Sequence, residues 1–359
     1  MSIPKHVFVS LFFLLFGMGV TQATNRAFET FPKIDVHVHI YEDSPAYLEL
    51  MDEINLIGVL NVSVRGMEAD IYNYRHDSAL RLSVKYPEKF SWASTFPLWD
   101  INEPGYVGKT ITGLNEDFEN DALAVKVWKD VGLAATNDHG DHIHFDDPVF
   151  DPIIEHIVVH GRPVLGHLAE PIHAWRPLED GNPLHNYQRE NPEWHFYGKP
   201  DVPSYERIIA ARDARVAKHP DMTFVAFHLG SMSHDVGMVD SRLAIYPNMY
   251  VGVAGRVQFL MRQPTEKVRA FFIQYQDRIL YGTDLSIDGP DNSGAAAAGK
   301  EANRKFKERT RQMYEEQWNY FSSDGMATYR GYTTQGLNLP TEVLEKLYFK
   351  NAQTVIPGL

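Results

Sequence analysis

The sequence contains no cysteine, and this absence excludes several kinds of chemistry. A chain without thiols forms no disulfide, holds no iron–sulfur cluster, builds no thiolate zinc site and has no cysteine nucleophile. Basic residues are also few, since 34 lysines and arginines stand against 47 acidic residues and give a formal net charge of −13. Nucleic-acid binders need a basic surface to neutralise phosphates, so we expect no nucleic-acid partner.

Histidine, by contrast, is abundant, with 16 in a chain of 359 residues. Imidazole is the commonest metal ligand, and without cysteine any bound metal must be held by nitrogen and oxygen atoms. The hydrophobic fraction of 44% is that of an ordinary globular protein. The composition therefore favours a folded protein whose metal ligands, if present, are imidazoles and carboxylates.

The first 23 residues have the pattern of a secretory signal peptide. Lys5 and His6 form a short basic start, an apolar run follows over Val7–Val20, and Thr21-Gln22-Ala23 offers small residues for cleavage. Because the run is too short to span a bilayer comfortably, we expect cleavage, with an uncleaved anchor as the alternative. Residues 24–359 would then be exported to the periplasm or the medium without a stable membrane anchor. The lack of cysteine suits such an oxidising compartment.

Short β-branched segments alternate with helix-like segments along residues 24–359. Several of the helix-like segments carry the expected boundary signals, such as Ser204 ahead of one and Gly161 behind another. The alternation predicts the α/β class and a single-domain (β/α)₈ TIM barrel, with a doubly wound open sheet as the alternative. The eight predicted strands are Lys33–Ile40, Ile57–Val64, Phe90–Phe96, Ala124–Trp128, Pro163–His167, Thr223–His228, Met249–Val253 and Arg278–Thr283.

Two connections are longer than the others. Glu170–Pro203, after the fifth predicted strand, is rich in proline, tryptophan, histidine and tyrosine. Loops after barrel strands surround the active site, so this loop is predicted to be a lid that sets specificity. A structural excursion or an oligomer contact is the alternative. Asp288–Gly299, after the eighth strand, is rich in glycine, alanine and aspartate, and we expect it to be mobile.

The strongest local signal is the pair His37 and His39 in the first predicted strand. Side chains two residues apart in a strand point to the same face, so both imidazoles are predicted to enter the barrel. His167 and His228 end the fifth and sixth predicted strands, and Asp284 comes directly at the end of the eighth, after Thr283. Barrel enzymes keep their active residues at these carboxyl ends, so the five side chains are predicted to converge on a divalent cation.

Lys126 in the fourth predicted strand shares a face with Trp128. An ammonium group inside a barrel is costly unless it is paired or chemically modified. Three interpretations stay open: a carbamate formed with CO₂ that bridges two metals, a cation that binds an anionic substrate, and a lysine paired with an acid. Lys129 is a weaker candidate for the first two roles.

Five segments, taken in order, resemble the amidohydrolase superfamily, and within it the amidohydrolase-related branch that includes enzymes like aminocarboxymuconate-semialdehyde decarboxylase. The resemblance runs from Phe31 to about Ala352 and is greatest to an exported group with a motif like NPEWHFYG (191–198) in the fifth loop. The five segments are IDVHVH (34–39), VKVWKDVG (125–132), PVLGHLAEP (163–171), FVAFHLGSM (224–232) and ILYGTDLS (279–286).

The resemblance implies four ligands for one or two divalent ions, preferably zinc: His37, His39, His167 and Asp284. His228 is implied either as a ligand to a second metal or as the residue that polarises the substrate and positions water. In hydrolytic members Asp284 also takes the proton from the attacking water. Enzymes of the decarboxylase branch can work with one metal and no bridging lysine, so Lys126 does not decide the reaction.

Four further residues are predicted to contact the substrate: Glu170, His173, Trp175 and Arg256. Arg256 can bind a carboxylate with two parallel hydrogen bonds, and a surface salt bridge is its alternative. The aromatic residues of the fifth loop either meet a ring-bearing or sugar-like substrate or pack the loop itself. His139, His142 and His144 have metal-like spacing but are expected to be exposed loop histidines.

We therefore predict an exported metal-dependent hydrolase that cleaves an amide, lactone or ester bond with metal-activated water. The alternative is a non-oxidative carboxy-lyase of an unsaturated or aromatic acid, which uses the same ligands while CO₂ leaves. A periplasmic binding or metal-storage protein is a third hypothesis. A small molecule is the expected partner, and homo-oligomerisation stays open. The fold cannot choose among these functions, since barrels support many reactions.

Overall fold

The structure is a computed structural model and describes residues 27–64, 66–179, 181–288 and 299–359. The predicted signal peptide lies outside these residues, as do residues 289–298 of the loop predicted to be mobile. None of the described helices combines the length and the hydropathy that a bilayer crossing requires.

Nine parallel strands form one sheet in which neighbours follow each other in the chain, from β8 through β1 to β9. Four residues separate the two edge strands β8 and β9, and this short interval also bonds to β1. Val36 N donates to Tyr281 O at 3.1 Å, and Asp284 N donates to His37 O at 2.9 Å. Together β8 and β9 occupy the eighth strand position and link β7 to β1. The strands are β1 Lys33–Ile40, β2 Leu56–Val62, β3 Phe90–Thr95, β4 Ala124–Val127, β5 Val164–Gly166, β6 Phe224–Ala226, β7 Met249–Gly252, β8 Ile279–Leu280 and β9 Leu285–Ile287.

Helices alternate with these strands, so the predicted α/β barrel architecture is confirmed. Ser44 and Ser204 cap two of the helices by accepting the backbone N–H groups of Tyr47 and Arg207. The helices are α1 Pro45–Glu53, α2 Ala69–Lys85, α3 Tyr106–Glu119, α4 Asp151–Val159, α5 His185–Glu190, α6 Tyr205–Lys218, α7 Val236–Ile245, α8 Val257–Leu260, α9 Thr265–Gln274, α10 Lys300–Ser322, α11 Thr341–Glu345 and α12 Asn351–Val355. A π-helical turn, Lys346–Lys350, joins α11 to α12, and shorter helical turns lie at Asp130–Leu133, Pro148–Phe150, Ile172–Trp175, Pro192–Trp194 and Phe227–Gly230.

A two-stranded antiparallel hairpin, which the sequence patterns did not predict, follows α10. Its strands are β10 Met326–Tyr329 and β11 Tyr332–Gln335, and it lies outside the main sheet. Ala327 and Tyr329 are buried, and Gln317 of α10 donates a hydrogen bond to the hydroxyl of Tyr329 at 3.1 Å. The hairpin is therefore fixed to the barrel through α10.

The barrel interior is packed with strand side chains at its amino end and left open at its carboxyl end. Ile34 and Ala124, from the beginnings of two strands, belong to the same buried cluster as Val355 and Ile356 at the carboxyl terminus of the chain. The terminal helix α12 and the residue after it thus cover the amino end. The polar residues of the strands gather at the opposite end, where barrel enzymes place their sites.

We expect the stability of the fold to depend on pH through the pair His76 in α2 and Asp117 in α3. His76 Nε2 lies 2.8 Å from Asp117 Oδ1. Burial alone lowers the pKa of His76, but the hydrogen bond and the charge of Asp117 outweigh it, so the pKa is raised. A raised pKa in the folded state means that the pair stabilises fully below the unfolded-state pKa of about 6.5, and that this stabilisation is lost as pH rises through the folded-state pKa.

Urea unfolding of the wild type and of His76→Gln between about pH 6 and pH 8.5 checks this expectation. The difference in unfolding free energy between the two proteins should shrink as pH rises. A difference that stays constant over this range would show that the pair does not titrate as described.

Candidate metal centre and active site

β1 places His37 and His39 side by side, as the alternation of a strand predicts. Their Nε2 atoms are 3.1 Å apart. His39 Nδ1 lies 2.9 Å from the carbonyl oxygen of Val62, and because a carbonyl only accepts, Nδ1 carries the proton. Nε2 of His39 therefore presents a lone pair, and a histidine ligand commonly has its other ring nitrogen fixed in this way.

Asp284, which follows β8, completes a group of three donors. Its Oδ1 lies 3.5 Å from His37 Nε2 and 3.2 Å from His39 Nε2, and the ligand atoms all lie within 4.8 Å of one another. Asp284 has a left-handed backbone with φ of 67°. A Cβ on Gly255 would lie 2.9 Å from Asp284 Oδ2, so the glycine leaves room for the carboxylate.

The carboxyl group of Asp284 is ionised at neutral pH. Burial raises its pKa, but the contact with His39 and the charges of Arg256 and Lys126 lower it further, and the net shift is downward. An ionised carboxylate beside two imidazoles is an oxygen and nitrogen donor set that suits divalent ions.

His167 and His228 extend this group on the side of β5 and β6. Their ring centroids are 4.0 Å apart, and His228 lies 4.8 Å from the ring of His37. Burial lowers the pKa of each far below its usual value, so both rings are neutral. His228 Nδ1 donates to Ala254 O at 2.8 Å and lies 4.0 Å from Asp284 Oδ2. Its Nε2 is therefore an acceptor, which can bind a metal or hold a water molecule by accepting one of its protons.

Three buried nitrogen atoms, in β4 or just after β5 and β6, have no hydrogen-bond partner in the described part of the chain. Buried polar atoms are nearly always satisfied, so their concentration at one place marks a position for a ligand. Together with the carboxylate of Asp284, this donor set fits a divalent cation. The three atoms are His167 Nε2, His228 Nε2 and Lys126 Nζ.

Lys126 in β4 is fully buried, and its Nζ lies 4.5 Å from the ring centroid of Phe227. Burial lowers its pKa to about 7, and the charge of Lys129 adds to this effect while Asp284 opposes it. No described carboxylate lies within ion-pair distance of Nζ, so a direct pair with an acid is not found among the described residues. A partly neutral amine can react with CO₂, and its protonated form can bind an anion, so the other two interpretations both fit.

Asp35 holds the centre together, and the sequence analysis missed it. Its buried carboxylate accepts hydrogen bonds from His37 N at 3.1 Å, from Thr283 N and Oγ1 at 3.0 and 2.6 Å, and from Tyr314 Oη at 2.8 Å. Burial raises its pKa to about 6, and these hydrogen bonds oppose the rise. One carboxylate thus bonds both to His37 and to Thr283, the residue before Asp284, and it fixes the two metal donors relative to each other. The Asp in IDVHVH was the one signal that could have indicated it.

A cavity of about 730 Å³ opens beside the donor group, and His39, His167 and Asp284 form part of its wall. The wall is positively charged although the chain as a whole is acidic. Glu170 and Asp284 are the carboxylates in it, and they are outnumbered by cationic side chains. These cationic side chains belong to Arg75, Lys129, Arg256, Arg262 and Arg330.

Two of the predicted substrate contacts lie in this wall. Arg256 is 8% exposed, and its Nη1 donates to Gly255 O at 3.0 Å while its Nε has no partner. No described carboxylate pairs with Arg256, so the salt-bridge alternative is not found. Glu170, in contrast, forms a buried ion pair with Lys129, whose Nζ lies 3.3 Å from a ring centroid of Trp194. Glu170 thus anchors the loop as well as lining the cavity.

The other two predicted contacts, His173 and Trp175, do not line the cavity. Trp175 Nε1 donates to Pro203 O at 2.9 Å, and its ring packs against Phe196 with centroids 4.8 Å apart. His173 packs 5.7 Å from Phe259. Trp175 is thus held by the internal packing of the loop and His173 by contact with α8, so neither belongs to the proposed substrate contacts. The loop still covers one side of the cavity, through Asn182, Pro183, Leu184, His185, Asn186 and Tyr187.

The histidines with metal-like spacing after β4 stay apart from the centre. His139 is exposed, and His142 Nε2 lies 3.0 Å from Asp201 O. They are not part of the group of potential metal ligands in the described residues.

Loss of one donor should weaken metal binding strongly, because His37, His39 and Asp284 are placed to bind one ion together and two donors hold it less tightly than three. In zinc titration of chelator-treated protein, His37→Gln should reduce affinity by about 100-fold or more, beyond the effect of losing an outer partner. His139→Gln is the matched control and should bind zinc like the wild type. Equal affinity of His37→Gln and the wild type would contradict the assignment.

Comparison with known proteins agrees with this architecture. The chain resembles the solved structures of an amidohydrolase II, with TM-score 0.51, 13% identity and coverage of 90% of this chain and 99% of that one. It also resembles a dihydroxybenzoic acid decarboxylase from Polaromonas sp. JS666 with bound manganese and the inhibitor 2-nitroresorcinol, with TM-score 0.52, 13% identity and coverage of 90% and 96%. A 4-oxalomesaconate hydratase from Rhodopseudomonas palustris gives TM-score 0.50, 14% identity and coverage of 91% and 96%.

At these identities the structural likeness shows the fold alone. No curated protein sequence matches the chain. The sequence model described as Amidohydrolase, however, matches residues 34–357, which include all of β1 except Lys33, the closing helix α12 and every donor of the candidate centre. This chain therefore belongs to the amidohydrolase family.

Proposed function

We propose that the protein is a metal-dependent hydrolase that cleaves an amide, lactone or ester bond in a small molecule carrying a carboxylate. The observation that carries this proposal is the charge of the cavity beside His37, His39 and Asp284. Three guanidinium groups in its wall, those of Arg256, Arg262 and Arg330, have no ion-pair partner among the described residues. Such a wall favours an anionic and polar substrate.

The chain supplies the groups that hydrolysis needs. A divalent cation in the donor set, preferably zinc, would polarise the scissile carbonyl and acidify a water molecule. Asp284 is ionised and can take a proton from the attacking water and pass it to the leaving group. His228 Nε2, as an acceptor, can help to orient that water.

Arg256 is the proposed anchor for the carboxylate of the substrate. Its guanidinium is buried at the cavity wall, where a two-pronged hydrogen bond to a carboxylate gains strength from the low dielectric. A carboxylate held by arginine is stabilised in its charged form, and this opposes its loss as neutral CO₂. If the substrate keeps this carboxylate, the bond that breaks lies elsewhere in the molecule, and hydrolysis is the reaction that fits.

Non-oxidative decarboxylation is the second candidate, and Lys126 is the observation in its favour. The unpaired amine lies in the barrel with the metal donors, where it can hold a carboxylate while an aromatic ring contacts Trp128 or Tyr187 in the cavity wall. Release of CO₂ without consumption of water would identify this reaction.

Export remains part of the proposal through the predicted signal peptide. Sequencing of the amino terminus of the protein recovered outside the cytoplasm tests it. A terminus at Thr24 is expected, and recovery of the full-length chain inside the cell would contradict export.

The proton-transfer role of Asp284 predicts a large loss of turnover in Asp284→Asn. Removal of a general acid–base group lowers rates by about 100- to 10,000-fold. The rate of hydrolysis should be measured on a panel of carboxylated lactones, esters and amides, with circular dichroism to confirm that the variant is folded. His139→Gln serves as the control, and a near wild-type rate in Asp284→Asn would contradict the role.

The anchoring role of Arg256 predicts a change in KM rather than in kcat for Arg256→Gln. Loss of a hydrogen bond between charged groups at a buried position corresponds to about 10- to 100-fold in binding. Initial rates on a carboxylated substrate and on its carboxamide analogue test the contact directly. Only the carboxylated substrate should bind Arg256→Gln more weakly than it binds the wild type. Equal losses for both would count against a carboxylate contact.

A further inference from the structure

The cavity has a second positive region at its rim, separate from the buried Arg256. Arg262 follows α8, and Arg330 lies at the tip of the hairpin of β10 and β11. Both side chains line the cavity and both residues are exposed. Neither forms an ion pair with a described residue, whereas Arg75 and Lys129 in the same wall pair with Asp288 and Glu170. Within the described part of the chain, no carboxylate neutralises either of these two cations.

Contacts between the two elements fix this region in place. The guanidinium carbon of Arg262 lies 4.7 Å from the ring centroid of Tyr332 in β11, so Arg262 packs on the hairpin that carries Arg330. The hairpin in turn is held to α10 by buried Tyr329. An arginine stacked on an aromatic ring is oriented before any ligand arrives, which reduces the entropy lost on binding.

Arg330 also has an unusual backbone conformation at the tip of the hairpin. Its φ is 49°, and the next residue, Gly331, has φ of 77°. A two-residue turn with both φ values positive favours asparagine, aspartate or glycine at its first position. Arginine is unfavourable there for the backbone alone, so a role of its side chain accounts for its presence.

We infer that Arg262 and Arg330 form a second anion-binding subsite and that the substrate is a molecule with two acidic groups. One carboxylate binds Arg256 near the metal donors, and this half of the inference rests on the proposed function. The other binds the rim arginines. The volume of about 730 Å³ lies within the range of pockets that enclose a whole small-molecule ligand, so one molecule can reach both positions.

Pairs of unbranched acids that differ by one carboxylate test the inference on the zinc-loaded protein. Hexanoate and adipate, octanoate and suberate, and decanoate and sebacate are titrated by calorimetry at fixed ionic strength. At one chain length or more the diacid should bind at least about fivefold more tightly than its monoacid. This ratio corresponds to about 1 kcal/mol for a solvent-accessible arginine–carboxylate pair.

The double variant Arg262→Gln/Arg330→Asn should lose this advantage while its affinity for monoacids stays unchanged. Asparagine at position 330 suits the left-handed turn, so the hairpin is preserved. Arg189→Gln is the matched control, because Arg189 is an exposed arginine of the loop that covers the cavity but does not line it. The control should keep the advantage of the diacid.

The outcomes separate the inference from the proposed function. Monoacid binding that depends on Arg256 but shows no diacid advantage at any length would overturn the second subsite alone. A diacid advantage that survives in the double variant would also overturn it. Failure of the wild type to bind any of the acids would contradict both the subsite and the proposed carboxylated substrate.

Discussion

The hydrogen bonds of the Asp35 carboxylate join the first strand to the end of the eighth, and the candidate metal centre depends on this junction. His37 comes two residues after Asp35, and Asp284 comes one residue after Thr283, whose N–H and hydroxyl both bond to the same carboxylate. One buried charge thus sets the position of two donors that come from opposite ends of the barrel sequence. Burying a carboxylate is costly unless its hydrogen bonds are complete, and four donors provide that completion here. The Asp35 carboxylate therefore fixes the backbone next to both donors.

Charge in this protein is distributed in two ways. On the outer helices, cations pair with acids, as Arg304 does with Glu301 and Glu308 on α10. At the carboxyl end of the barrel, Arg256 in the cavity wall and the buried Lys126 have no such partner among the described residues, and both lower the pKa of Asp284. Unpaired cations in a confined wall are unfavourable for folding and favourable for binding an anion. The arrangement is consistent with a site shaped for an acidic substrate on a chain that is itself acidic.

Much of the centre could be predicted from the sequence because strand periodicity is local. The spacing of His37 and His39 determines their shared face, and His167, His228 and Asp284 follow strands as expected. The predicted fifth, sixth and eighth strands nevertheless end too late. His228 and Asp284 adopt left-handed backbone angles, with φ of 59° and 67°, and hydrophobic pattern does not report such turns. Regular strand pairing is interrupted at both residues, His228 after β6 and Asp284 between β8 and β9.

Asp35 and Arg330 could not be predicted for a different reason, which is that their partners are distant in the sequence or lie in an element that was not predicted. Asp35 meets Thr283 and Tyr314 across 248 and 279 residues, and no local pattern records a partner so distant. The hairpin was also missed, so Arg330 could not be placed at the cavity. Trp175 was predicted to meet substrate, but its indole found a partner within its own loop. The aromatic composition of the loop could not show whether these side chains pack against each other or bind a substrate.

The most direct test of the account is an X-ray structure of the zinc-loaded protein with anomalous data collected at the zinc edge. We predict an anomalous peak in contact with Nε2 of His37, Nε2 of His39 and the carboxylate of Asp284. A second peak beside Lys126 would assign the lysine as a metal bridge. The absence of a peak at the three donors, or zinc bound only at the histidines of residues 139–144, would contradict the account.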